Sequence, residues 1–169
     1  MKKNILVGLC IAGFFQFSVF GQKCKYFREG KDEFSGETFK ESKDVLAPGI
    51  SFYLKKVGSS KLSSVMDIVI PYSAQYTITP KDTVYFKLED GGVVKITPDK
   101  DYQPKKNVSS YGVVTAYSPF YLITREDIQR MASSPIIKVR ITFEKPVDFS
   151  PKKGEVKDIM KAAACMLAD

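Results

Sequence analysis

The chain contains no histidine and no tryptophan among its 169 residues. Without an imidazole, histidine-based acid–base catalysis, serine triads and His-ligated metal centres are excluded. Cysteine is scarce: Cys10 lies in the N-terminal apolar stretch, leaving Cys24 and Cys165, two distant thiols that cannot make a four-cysteine zinc site. Basic runs never exceed two residues, and the absence of a basic stripe argues against a nucleic-acid partner. No glycine-rich phosphate loop is present, since Asp90-Gly91-Gly92 reads as hairpin punctuation. No cofactor and no metal are expected.

One apolar run exists, Ile5 to Phe20, behind the basic start Lys2-Lys3 and ahead of Val19-Phe20-Gly21. This pattern predicts a secretory signal peptide over residues 1–21. Interrupted by Gln16 and Ser18, the run falls short of the roughly 20 apolar residues that span a bilayer. Lipid attachment is disfavoured, because Leu9 precedes Cys10 and Lys23 precedes Cys24 where a small residue is wanted. After cleavage no transmembrane segment is expected, and residues 22–169 suffice for one domain with its own core. Loss of Lys2 and Lys3 lowers the formal charge from +7 to +5. The remaining charges are interspersed, as on a soluble surface, with attraction to an anionic envelope glycan as the functional alternative.

Thr83 to Thr97 reads as a β-hairpin. Polarity favours a three-residue loop with Gly92 in the left-handed region, which sets Leu88 against Val94 and Phe86 against Ile96. Val84 extends that apolar face, while Tyr85, Lys87, Lys95 and Thr97 turn outward. Period-two alternation predicts further strands near Glu37 to Lys43, over Ile50 to Val57, Ser63 to Ile70 and Gly112 to Ser118, and from Ile136 to Glu144. In the last of these, Ile137, Val139, Ile141 and Phe143 share one face. Pro98 to Ser110 reads as a long polar loop, and Pro146 to Lys153 as a linker.

Thr124 with Asp127 forms a capping-box signature for a short helix ending before Pro135. Ser150-Pro151 suits the start of a second helix, an amphipathic one over residues 152–168. Its apolar arc runs through Val156, Ile159, Met160, Ala163, Met166 and Leu167, with Cys165 on the opposite side. The fold class is therefore α+β, mainly β: about seven mostly antiparallel strands, a short helix, and a C-terminal amphipathic helix packed on the sheet. Cys24 and Cys165 either form a disulfide pinning the N-terminal arm to that helix, stay as free thiols, or pair between chains.

Candidates for chemistry are few. Ser150 and Lys153 have the spacing in which a lysine could deprotonate a serine, although a capping role accounts for Ser150 as well. Glu89 with Asp90, and Asp32 with Glu33, are adjacent carboxylates at turns. Asp99-Lys100-Asp101 starts like a calcium loop, but Pro104 stands where glycine is required and Ser110 where an acid is. Tyr85, Tyr111, Tyr117 and Tyr121 are the candidate ligand-binding side chains, since tyrosines on a wet sheet face can stack on sugars or hold a peptide. Cross-strand packing is the alternative role for them.

Taken together, Asp32 to Gly36 (Asp-x-Phe-Ser-Gly), Leu88 to Gly91, Thr124 to Ile128 and Ile136 to Ile141 are a set of structural motifs. With the leader and the C-terminal helix, this set resembles small secreted proteins of Gram-negative bacteria that carry no assigned activity. The resemblance implies export and a β-rich fold, and it brings no catalytic residue. The leading expectation is an exported, non-enzymatic interaction module of the periplasm or cell surface, its partner an envelope protein or glycan. Two alternatives stand beside it: a hydrolase using carboxylates or the Ser150–Lys153 pair, and a structural subunit that assembles through a sheet edge.

Overall fold

Side chains that alternate in polarity every second residue set the longer strands, and pairing at their margins adds the shorter ones. A computed structural model describes residues 24–70, 74–109 and 112–168. The expected leader, residues 1–21, and Tyr111 lie outside the described residues. The strands are β1 (Arg28–Lys31), β2 (Thr38–Ala47), β3 (Ile50–Val57), β4 (Lys61–Ile70), β5 (Val84–Leu88), β6 (Val93–Pro98), β7 (Lys105–Ser109), β8 (Gly112–Tyr117), β9 (Phe120–Leu122), β10 (Ile136–Thr142) and β11 (Pro146–Phe149). Two helices complete the set, α1 (Arg125–Ser133) between β9 and β10, and α2 (Lys153–Leu167) after β11.

The chain is mainly β and its sheet antiparallel, but there are eleven strands rather than seven. The four extra strands are β1, β7, β9 and β11. β1 is exposed at every position, β7 is Lys-Lys-Asn-Val-Ser, β11 opens on proline, and β9 is three residues long. None buries one face regularly, so none leaves an alternation to read. Thus the expected loop from Pro98 to Ser110 contains β7, and the expected linker from Pro146 to Lys153 contains β11.

Strand order is β1-β2-β3-β4-β9-β6-β5-β10-β11, with β8 paired to β4 and β7. Short β9 joins the two halves: it pairs Ser64 and Val65 of β4 on one side, and Thr97 and Pro98 of β6 on the other. Three strands separate β3 from β5, yet the rings of Phe52 and Phe86 lie 5.4 Å apart. The sheet therefore curls back on itself, with Phe52, Leu54, Met66, Phe86 and Ile96 in the enclosed core.

The β5–β6 hairpin buries Val84, Phe86, Leu88, Val94 and Ile96 as expected, but its register differs by two residues. Phe86 pairs with Val94 and Val84 with Ile96. Gly91, at φ 87°, takes the left-handed position, so the loop is Glu89-Asp90-Gly91, closed by Gly91 N–H to Leu88 O (3.1 Å) and Leu88 N–H to Gly92 O (2.8 Å). A two-residue shift keeps every side chain on its face, which is why polarity alone did not separate the registers. A Cβ at Gly92 would meet the Arg130 guanidinium, which donates to Val93 O at 3.1 Å and would have to shift to make room. A second correction falls in β10, where a bulge between Ile136 and Lys138 buries Ile136 and turns Ile137 outward.

α1 starts on the capping box: Asp127 N–H donates to Thr124 Oγ1 (3.1 Å) and Thr124 N–H to Asp127 Oδ2 (3.3 Å). α2 is capped by Lys152 instead of Ser150, and Lys152 N–H donates to Glu155 Oε2 at 2.6 Å. Its buried residues are Val156, Ile159, Ala162, Ala163 and Met166, and it lies against α1, β2 and β3. At its C-terminal end Lys56 donates to Ala168 O (3.1 Å) and Arg125 to Leu167 O (3.2 Å), cations placed where the helix dipole is negative. A disulfide joins Cys24 to Cys165, with Cα atoms 5.7 Å apart, and ties the N-terminal arm to α2. No helix among the described residues is long and apolar enough to cross a membrane.

Candidate anion-binding face

Alternation that sends Phe86, Val94, Val139 and Ile141 inward must send their neighbours out, and β5, β6 and β10 share one outer surface. Two rows of directly opposed residues cross it. The first is Lys95–Tyr85–Arg140–Asp148, running from β6 through β5 and β10 to β11. The second is Val93–Lys87–Lys138. Tyr85, Arg140, Val93, Lys87 and Lys138 of these rows line a shallow depression of about 500 Å³, with Thr142 at its margin.

Charge on these rows is one-sided: four cations accompany a single carboxylate. Asp148 is clamped by Arg140 (Nε to Oδ1 2.6 Å, Nη2 to Oδ2 2.7 Å) and by Lys138 Nζ (2.7 Å). Hydrogen bonds from Arg140 and then Lys138 hold its carboxyl well below the usual range, so it is ionised at any ordinary pH. The same pairing raises Arg140 further. Lys95 Nζ sits 5.9 Å from the centre of the Tyr85 ring, a cation–π contact. Among the described residues neither Lys87 nor Lys95 has a carboxylate partner. Lys87 instead faces Lys138 across the strands, a like-charge pair that destabilises a sheet by a few tenths of a kcal/mol or more. A tyrosine beside four cations, of which Lys87 and Lys95 have no carboxylate partner among the described residues, is equipped to hold a carboxylated or phosphorylated ligand.

The other expected tyrosines do not join this face. Tyr117 is 2% exposed, donates its hydroxyl to Tyr76 O at 2.8 Å, and packs its ring on Phe143. Tyr121 is 1% exposed, its hydroxyl has no hydrogen-bond partner among the described residues, and burial pushes its pKa above the ordinary tyrosine value. In β9 the pleat turns Phe120 and Leu122 to solvent and Tyr121 inward, the reverse of what polarity suggests. Ser150 and Lys153 are both exposed, and no hydrogen bond or ion pair joins them. Among the described residues no group of three or more Cys, Asp or Glu side chains is arranged to hold a metal ion.

Alternation in the sequence turns Lys87, Lys95, Lys138 and Arg140 outward but does not bring them together. That required the pairing of β5 with β10, some fifty residues on, for which the only local signal was matched outward basic residues on both strands. Comparison with protein-family models, curated proteins and solved structures gave no match.

Proposed function

We propose that this chain is an exported, non-enzymatic interaction module that holds an anionic glycan of the periplasm or cell surface against β5, β6 and β10. The observation that carries this reading is Lys87 set directly opposite Lys138 beside Tyr85. A soluble domain gains nothing in stability from opposed lysines. A ligand that places carboxylates or phosphates between them turns the repulsion into charge-assisted hydrogen bonds, each contributing about 1.5–3 kcal/mol. Tyr85 offers a flat face for a sugar ring within the same depression.

Export is supported by the basic and apolar start of the sequence and by the Cys24–Cys165 bridge, which suits an oxidising compartment. The likeness to secreted Gram-negative proteins belongs to the same proposal. The hydrolase alternative gains no support from Ser150 and Lys153, which stand apart in solvent.

Affinity electrophoresis tests the binding claim, with polygalacturonate in one gel and neutral dextran in another. Retardation by polygalacturonate alone, weakened by salt, is the expected result. Equal retardation in both gels, or in neither, would contradict the proposal.

A further inference from the structure

The opposite margin of the sheet is unfinished. β2 is ten residues long, but β1 covers only Thr38 to Glu41. Phe27 N–H donates to Glu41 O at 2.8 Å, and the residues before it run off the edge to Cys24, which is bonded to Cys165 on α2. Glu41 directs its backbone groups toward that edge, so by alternation Lys43 and Val45 do the same. Among the described residues nothing bonds to them there.

Beneath this edge lies a cleft of about 450 Å³, between β2 and α2, with Tyr26 and Phe27 at one end and Asp44, Asp158 and Lys161 along it. Asp44 projects to the inner side of β2, as Ser42 and Leu46 do. Its Oδ2 is buried and receives no hydrogen bond among the described residues. Burial, and then the charge of Asp158, push its pKa up to about 6, with only Ser42 opposing. The lysines at the cleft do not neutralise it. Lys43 lies on the outer face, over the rings of Phe27 and Tyr53 at 5.2 and 5.4 Å, and neither Lys25 nor Lys161 forms an ion pair with Asp44 or Asp158.

We propose that the free edge of β2 accepts an extended peptide of a partner protein, whose arginine or lysine enters the cleft and pairs with Asp44 and Asp158. Residues directly opposed across a strand pair project to the same face, so the peptide residue facing Asp44 points under α2 toward both carboxylates. Backbone bonds to Lys43 and Val45 supply the docking, and the basic side chain supplies the selectivity. A second copy of this chain fits worse, because two β2 edges paired about this position would set Asp44 against Asp44.

Fluorescence anisotropy with a labelled, blocked pentapeptide, Thr-Val-Arg-Val-Thr, tests this on the disulfide-bonded protein. The expected result is binding about tenfold tighter than that of the same peptide with glutamate at the centre, a preference lost in Asp44→Asn. Val45→Pro removes an edge donor and should abolish binding; should that variant not fold, an N-methylated peptide puts the same question to the wild type. Lys87→Glu, on the glycan face, should leave peptide binding unchanged, which separates this site from that one. Equal affinity for the two peptides, no binding of either, or self-association of the protein by light scattering through this edge would overturn the proposal.

Discussion

Asp148 and Asp44 lie near opposite margins of one sheet and have opposite surroundings. Asp148, on the last strand in the order, is open to water and clamped by two cations. Asp44, one strand from the other end, lies under α2 with an oxygen that no described residue donates to. One carboxyl is held far below the usual range and the other is raised to about 6. The difference shows where this fold is complete and where it is not. On the β10–β11 side the lone acid is satisfied and surplus cations remain; on the β2 side it is the acid that lacks a cation among the described residues.

The largest effect should come from the brace at the Asp44 margin. Replacing Cys24 and Cys165 by serine releases a closed span of 141 residues, which in the chain-entropy picture costs about 5 kcal/mol. Urea and thermal melts should show the loss, with Tm lower by roughly 10–20 °C. Hydrogen exchange should rise first in β2 and α2 and last in β10. Uniform loosening across the sheet would break the contrast between the two margins.

Next comes pH. Asp44 has a folded pKa of about 6 against about 3.9 unfolded, so its contribution is fully present below pH ~4 and is lost as pH rises through 6. Asp44→Asn should therefore stabilise the protein above pH 6, by about 1 kcal/mol after allowance for partial solvent access, and leave it unchanged near pH 4. Asp148 carries the opposite sign: its stabilisation is present above about pH 4 and is lost only as pH falls through its depressed folded value. Urea melts of Asp44→Asn and Asp148→Asn across pH should diverge in opposite directions. Parallel curves would show that the two carboxylates are not in the contrasting surroundings described.

The smallest expected change in stability is the most informative about function. Lys87→Glu replaces a like-charge pair with Lys138 by an attractive one, which should raise stability by about 0.5 kcal/mol. The same substitution should weaken polygalacturonate binding about tenfold. A variant that folds better and binds worse marks a residue kept for its ligand.

How much of this was legible before the structure depends on whether a residue's neighbours are local. Phe86, Val94 and Ile96 declare their buried face by alternation, and Thr124 with Asp127 declares a helix start within four residues. The choice between Gly91 and Gly92 for the left-handed position was not readable, because either keeps the same faces. β1, β7 and β11 border the sheet and bury neither face regularly, so they leave no periodic trace. For Tyr117 and Tyr121 the sequence leaves a wet-face role and cross-strand packing both open, because tyrosine suits both sides of a pleat; the structure buries both. The two margins were least legible of all. The basic face needs β5 beside β10, and the cleft needs β2 beside α2, pairings that no short stretch encodes.

Chemical-shift mapping with a trigalacturonate tests the central claim most directly, since it locates the ligand residue by residue on the folded, disulfide-bonded protein. Tyr85, Lys87, Val93, Lys95, Lys138 and Arg140 should shift together and saturate together, while Asp44 and the residues of α2 stay in place. Shifts centred on any other surface, or no shifts at all, would contradict it.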